Sequence, residues 1–238
     1  MENKKHIVIV GGGFAGLELV KELNRSGKYH ITLVDMNNYN FFPPLLYQLA
    51  AGFMEPSSIS YPFRRLLRKY KNARFRMASL QEVIPAENKL ILSNGELSYD
   101  ILVMATGAES NFFGNKEVEE KAMPMKTVGD ALMLRNLVYT RLERATRTQD
   151  KEQRRKLLSF AIAGAGPTGV ELSGIFAEMK QNIMRKDYPE LTFDDLGDIY
   201  LIDGQETVLS PMSKKAQEYT EKSLLKKGVK LKLGVFVS

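Results

Sequence analysis

The residues that most restrict this chain are three glycines at fixed spacing, Gly11-x-Gly13-x-x-Gly16. They follow an apolar, β-branched run, Ile7-Val-Ile-Val10, and open a segment with helical spacing. In that segment Leu17, Val20 and Leu23 share one side, and Glu18, Lys21 and Glu22 the other. A short, continuously apolar strand suits a parallel sheet covered on both faces. The pattern predicts strand His6–Val10, a turn, helix Phe14–Ser26 stopped by Gly27, and a strand Ile31–Val34 closed by Asp35. The first glycine permits the tight turn, the second has no side chain to block a pyrophosphate, and the third lets helix and strand pack closely. The helix N-terminus adds unpaired N–H groups and partial positive charge. The Asp35 carboxylate can accept hydrogen bonds from an adenosine ribose. Gly11, Gly12, Gly13, Phe14, Ala15, Gly16 and Asp35 thus form a candidate dinucleotide site, the bland alternative being a glycine-rich turn with no ligand.

About 150 residues later the pattern returns. Leu157–Ala163 reads as an apolar strand, and Gly164-x-Gly166-x-x-Gly169 follows. Pro167 falls at the first helical position, where its missing N–H costs nothing. The helix is expected to reach about Arg185, and the strand Ile199–Ile202 is closed by Asp203. Gly164, Gly166, Pro167, Thr168, Gly169 and Asp203 form the second candidate site. An acid there repels a 2′-phosphate and favours NADH over NADPH. Between the repeats, residues 37–52 read as irregular, and a helix is expected from Ser57 or Ser58 to about Tyr70. A β-meander is expected over residues 73–98, then a strand over Asp100–Ala105, a linker over 109–126 and a helix over Val128–Thr148. A helix Lys214–Lys227 and a strand Val229–Leu233 close the chain. The fold class is α/β, with two Rossmann-like dinucleotide-binding domains expected at residues 1–112 and 113–238.

Composition removes other chemistries. Cysteine is absent, which excludes a redox disulfide, an iron–sulfur cluster and a thiolate zinc site. The only histidines, His6 and His30, begin two strands and offer no metal site. Any redox chemistry must come from a bound organic cofactor. Two dinucleotide sites in one chain imply that two dinucleotides meet, and hydride transfer between nicotinamide and flavin needs that meeting. No apolar run reaches the ~18 residues of a membrane span, and the apolar stretch at residues 6–10 is too short for a signal peptide. Net charge is +6, with seven basic and three acidic residues between Arg141 and Lys156. That stretch reads as a solvated helix end, or as a contact with an anionic membrane; no interleaved aromatics support nucleic acid.

Four segments carry a family resemblance: Gly11-Gly-Gly-Phe-Ala-Gly16, Asn40-Phe-Phe-Pro-Pro-Leu-Leu-Tyr-Gln-Leu-Ala-Ala-Gly52, Tyr99-Asp-Ile-Leu-Val-Met-Ala-Thr-Gly-Ala108 and Gly164-Ala-Gly-Pro-Thr-Gly-Val-Glu-Leu-Ser-Gly174. Over essentially the whole length, the chain resembles the N-terminal half of type II NADH dehydrogenases, which are NADH:quinone oxidoreductases. The resemblance implies FAD on the first turn, with Asp35 at its ribose, Val83 meeting the adenine through its backbone, and Ala105, Thr106 and Gly107 returning to the cofactor. It sets the loop with Pro44 and Gln48 beside the isoalloxazine, and NADH on the second turn. Glu171 matches the family's glutamate near nicotinamide and flavin and is the candidate catalytic residue; from the residues alone it is an acid in the first turn of a helix. The resemblance further implies a membrane quinone as acceptor and a peripheral, cytoplasmic place on the inner membrane through a C-terminal part beyond Ser238. A piece of this length is expected to retain little FAD and to show no NADH:quinone activity by itself, and exposed apolar surface would leave room for a homodimer. Two other readings stay open: a flavin reductase serving ferredoxin or a soluble acceptor, and a nucleotide-binding module without turnover.

Overall fold

The computed structural model describes residues 4–182 and 184–236. The chain parts into two compact units, Met1–Phe42 with Ile59–Glu109, and Pro43–Ser58 with Ser110–Ser238. In chain order the elements are β1 (His6–Val10), α1 (Phe14–Ser26), β2 (His30–Asp35), β3 (Tyr39–Phe41), α2 (Leu46–Ala50), α3 (Pro56–Ile59), β4 (Ser60–Pro62), α4 (Phe63–Leu67), β5 (Ala73–Met77), β6 (Leu80–Ile84), β7 (Lys89–Leu92), β8 (Gly95–Ser98) and β9 (Ile101–Met104). Then follow α5 (Lys116–Lys121), α6 (Val128–Arg147), α7 (Lys151–Leu157), β10 (Phe160–Ala163), α8 (Pro167–Asn182), α9 (Met184–Asp187), β11 (Ile199–Asp203), α10 (Lys214–Lys226) and β12 (Val229–Leu233).

The first unit is built on a four-stranded parallel sheet of order β5-β2-β1-β9. Alternation along β1 and β2 explains their unbroken apolar runs, because both faces are covered. Ile7, Ile9, Ile31 and Leu33 point to one side and pack with Val20, Phe63, Leu67 and Phe75. Val8, Val10 and Val34 point to the other and meet Ala78, Leu90 and Leu92. Two expectations are corrected here. Ala73–Met77 joins the parallel sheet beside β2, so only β6, β7 and β8 form the antiparallel meander. The helix expected from Ser57 to Tyr70 is interrupted: Ser60–Pro62 pairs antiparallel with Tyr39–Phe41, and the chain restarts as α4 after Pro62. Proline has no N–H for a helix interior, and its extended backbone (φ −61, ψ 129) makes it a helix start instead.

The second unit carries a three-stranded parallel sheet of order β10-β11-β12. Helix α8 covers it through Leu172, Ile175, Phe176 and Met179, and the Phe176 ring lies 4.8 Å from that of Phe160. Helix α6 opens on a capping box: Thr127 Oγ1 accepts from Asp130 N at 3.0 Å, and Asp130 Oδ2 accepts from Thr127 N at 2.8 Å. Here too the sequence reading is corrected. The strand read from Leu157 starts only at Phe160; Leu157 instead ends helix Lys151–Leu157, which Asp150 caps by accepting from Glu152 N at 2.8 Å. Residues 46–50 of the segment read as irregular form α2, which packs against α6 and α8. Residues 116–121 of the expected linker form α5, capped by Asn115. The long segment before β11 is pinned by Asp195, 1% exposed, whose Oδ2 accepts from Thr192 N and Oγ1, each at 2.8 Å, and pairs with Arg154 at 3.2 Å. These hydrogen bonds, the backbone one first, hold its carboxyl below the usual carboxylate range.

Candidate functional site

The two glycine turns repeat each other bond for bond. In the first, Gly11 (φ +105) donates to Val34 O at 2.8 Å. Gly12 N donates to Asp35 Oδ2 at 2.7 Å, and Asp35 Oδ1 accepts from Asn37 N at 2.8 Å. In the second, Gly164 (φ +101) donates to Ile202 O at 2.8 Å. Ala165 N donates to Asp203 Oδ2 at 2.5 Å, and Asp203 Oδ1 accepts from Gln205 N at 2.8 Å. The helices start alike: Leu17 N donates to Gly13 O and Val170 N to Gly166 O, each at 3.0 Å. A methyl group on Gly16 would stand 1.9 Å from Gly11 O, and one on Gly169 1.8 Å from Gly164 O, so both third glycines are required by close helix–strand approach. A methyl on Gly13 or Gly166 would meet nothing within 4 Å. Each turn therefore presents an open backbone cradle at a helix start, which is what a pyrophosphate requires.

The two aspartates serve the turns directly. Each spends one oxygen on the turn's second N–H and the other on the N–H two residues downstream. A carboxylate has about four lone-pair sites, so each keeps acceptor capacity for a ribose hydroxyl. The pairing of Asn37 and Gln205 with these acids was missed from sequence, although both stand two residues after an aspartate that ends a strand. Asn40 was also missed; its Nδ2 donates to Gly12 O at 2.9 Å and steadies the first turn from β3.

The other candidates lie in both units. Ala105, Thr106 and Gly107 (φ +74) follow β9, and Ala105 N donates to Val10 O at 2.7 Å, beside the first turn. Val83 lies on β6 and packs on the cluster that contains Val10 and Val34. Phe14 and Ala15 open α1, both exposed, and the Phe14 ring meets that of Phe42 edge-on at 5.5 Å. Pro167 and Thr168 open α8, also exposed. Pro44 and Gln48 belong to the second unit, where Pro44 is exposed in a short 3-10 turn. There Tyr47, Gln48, Glu171 and Glu178 line a groove of about 340 Å³ between α2, α8 and α10. Gln48 Nε2 donates to Tyr47 Oη at 3.0 Å, and Lys227 pairs with Glu178 at the groove's far end. Glu171 sits one turn into α8, and partial burial pushes its carboxyl pKa up. Among the described residues no group of three or more His, Cys, Asp or Glu could hold a metal ion. No helix among them is long and apolar enough to cross a membrane.

Comparison with known proteins covers nearly the whole chain. The profile of the pyridine nucleotide-disulphide oxidoreductase family matches residues 5–238. The type II NADH:quinone oxidoreductase Ndh of Mycobacterium tuberculosis is 34% identical over 99% of this chain and 51% of its own length. The external alternative NAD(P)H-ubiquinone oxidoreductase B2 of Arabidopsis thaliana mitochondria is 32% identical over 99% of this chain and 42% of its own. Among solved structures, NDH2 from Plasmodium falciparum in complex with NADH superposes with a TM-score of 0.88 at 27% identity, over 97% of this chain and 48% of that one. The chain thus spans about half the length of these relatives.

Proposed function

This chain belongs to the pyridine nucleotide-disulphide oxidoreductase family, and on that premise we propose that it binds FAD at the Gly11–Gly16 turn and NADH at the Gly164–Gly169 turn, in an NADH:quinone oxidoreductase. The repetition of the two turns, down to the acid that accepts from each second N–H, carries this reading. Asp35 would hold the adenosine ribose of FAD, and Asp203 that of NADH while repelling a 2′-phosphate. The open backbone at Gly13 and Gly166 would take the two pyrophosphates against the starts of α1 and α8. Ala105, Thr106, Gly107 and Val83 would complete the first site, and Pro44 and Gln48 would border the flavin ring. Flavin, when bound, supplies the hydride acceptor and the route of two electrons to quinone. Glu171, beside Tyr47 and Gln48, would orient the nicotinamide or hold a proton near the acceptor. We place the protein on the inner face of the membrane as a peripheral protein.

The test is spectroscopic. The purified chain is titrated with FAD and with NADH, and the visible flavin spectrum is followed before and after NADH is added, then after a soluble quinone. The reading expects one FAD and one NADH site in this chain, the FAD site weak because the chain spans about half the length of its relatives, with bleaching by NADH and recovery with quinone in a protein of the relatives' full length. A chain that binds neither dinucleotide overturns it, and so does one that prefers NADPH. A full-length protein that binds both without bleaching reduces it to nucleotide binding.

A further inference from the structure

The longest acid-free stretch of the chain runs from Pro56 to Gln81, and it holds Arg64, Arg65, Arg68, Lys69, Lys71 and Arg74. All six are exposed; five lie along α4 and the loop after it, whereas Arg74, paired with Thr32 in the sheet, points to the opposite face, as does Arg76. Among the described residues none of the six has a salt-bridge partner. A seventh cation, Arg76, is turned to the meander, where Nε donates to Asn94 Oδ1 at 3.0 Å and Nη1 to Glu96 O at 2.9 Å. Helix α1 packs on the same face of the sheet, and its acids Glu18 and Glu22 are paired with Lys21 and Arg25. Among the described residues the face therefore carries a net positive field.

Aromatic rings interleave with these cations. The Arg64 guanidinium lies 5.6 Å from the centre of the Phe75 ring, that of Arg65 5.3 Å from Tyr61, and the Lys69 ammonium 5.2 Å from Tyr70. The rings are occupied by the protein's own cations, so they do not offer the free stacking platforms that single-stranded nucleic acid uses. Long side chains lying along rings, with charged heads outward and an exposed Tyr61 among them, instead match the boundary of a lipid layer. The basic stretch at residues 141–156 differs: it contains Glu143, Asp150 and Glu152, and its Arg154 and Arg155 are tied to Asp195 and Asp198.

We propose that the face of the first unit formed by α4 and the loop after it is an electrostatic docking surface for a bilayer containing anionic lipid. The choice of a bilayer over a polynucleotide rests in part on the quinone reading, since a lipid-soluble acceptor is met at a membrane.

The test uses the 238-residue chain and co-sedimentation with vesicles of phosphatidylcholine alone or mixed with phosphatidylglycerol, at low and high potassium chloride. Binding is expected to the mixed vesicles only and to vanish in high salt. The combined variant Arg65→Gln, Arg68→Gln, Lys69→Gln, Lys71→Gln should lose about fivefold in partitioning per charge, more than about a hundredfold in all. The variant Arg141→Gln, Arg144→Gln, Lys151→Gln, Lys156→Gln removes the same charge elsewhere and should bind as the parent does. Circular dichroism checks that both remain folded. Equal loss in the two variants, binding to neutral vesicles, or tighter binding to a short DNA than to mixed vesicles would each overturn the proposal. NADH and FAD titrations of the first variant should be unchanged. Vesicle binding and nucleotide binding thus fail separately, and so do the two readings.

Discussion

At residue 12 the first turn carries glycine, and at the matching position 165 the second carries alanine. Both positions are buried, and both donate an N–H to the acid that ends the next strand. The difference lies beneath them. A methyl on Gly12 would stand 2.2 Å from the Phe63 ring, whereas Ala165 has room for the methyl it carries. Position 11 differs from 164 in the same way. Both glycines have positive φ, but a methyl on Gly11 would also lie 2.2 Å from Ala105 O, while one on Gly164 would meet nothing within 4 Å. At position 11 the reason is that β1 also pairs with β9, which Ala105 follows, whereas among the described residues β10 pairs only with β11; at position 12 it is the Phe63 ring at the start of α4. Backbone chemistry fixes what the turns share, and the neighbours fix how many glycines each turn needs.

The comparison is most sharply tested at the third glycines, where the turns should behave alike. Gly16→Ala and Gly169→Ala each press a methyl into a carbonyl oxygen, and each should cost at least about 3 kcal/mol of unfolding stability by urea denaturation. Tolerance at one site alone would break the equivalence. Next come the acids. Asp35→Asn should weaken FAD binding, and Asp203→Asn NADH binding, by about ten- to a hundredfold, the loss of one charge-assisted hydrogen bond. Titration of each nucleotide against each variant checks this, and crossed effects would contradict the assignment of sites. Gly12→Ala should cost about 1–3 kcal/mol through the clash with Phe63, whereas Ala165→Gly should cost less than about 1 kcal/mol. Pairing Gly12→Ala with Phe63→Leu should recover part of the loss; no recovery would remove Phe63 as the cause.

The smallest effect concerns Glu171. Burial raises its carboxyl pKa above the ordinary 4.5, so the folded state prefers the protonated form. The associated stability is fully present below the unfolded pKa and is lost as pH rises through the folded one. Glu171→Gln should therefore match the parent in acid and be slightly the more stable at neutral pH. A variant less stable at neutral pH than in acid, relative to the parent, would show that the carboxylate is held by a favourable partner.

The turns were legible in the sequence because glycine spacing, an apolar strand and a terminal acid are local signals. The bonds of Gly12 and Ala165 to their acids join residues far apart in sequence and were not read from it, since each acid was assigned only to the nucleotide. What was not legible depended on remote packing. Phe63 beneath Gly12 could not be foreseen from either residue, and nothing local says that Ala73–Met77 adds to the edge of β2 rather than to the meander. Pro62 and Asp150 were local signals that were read too lightly. The acid-free run after Pro56 was hidden because net charge was judged by density over residues 141–156 alone.

Residues 43–58 count with the second unit although both of their flanks belong to the first, and the Phe42 N to Ile59 O bond of 2.8 Å closes the neck of the excursion. The covalent chain passes between units at 42/43, 58/59 and 109/110. A protease that nicks only the segment after Glu109 therefore leaves the two units tethered, and two further cuts are needed to part them. Order of synthesis is affected too. Helix α2 leaves the ribosome long before α6 and α8, on which it packs. At about 5–20 residues per second, roughly 7–26 seconds pass before the last of α8 emerges. Through that interval Leu46 and Leu49, buried in the finished protein, wait without their partners, and the first unit closes around a loop whose destination has yet to be made.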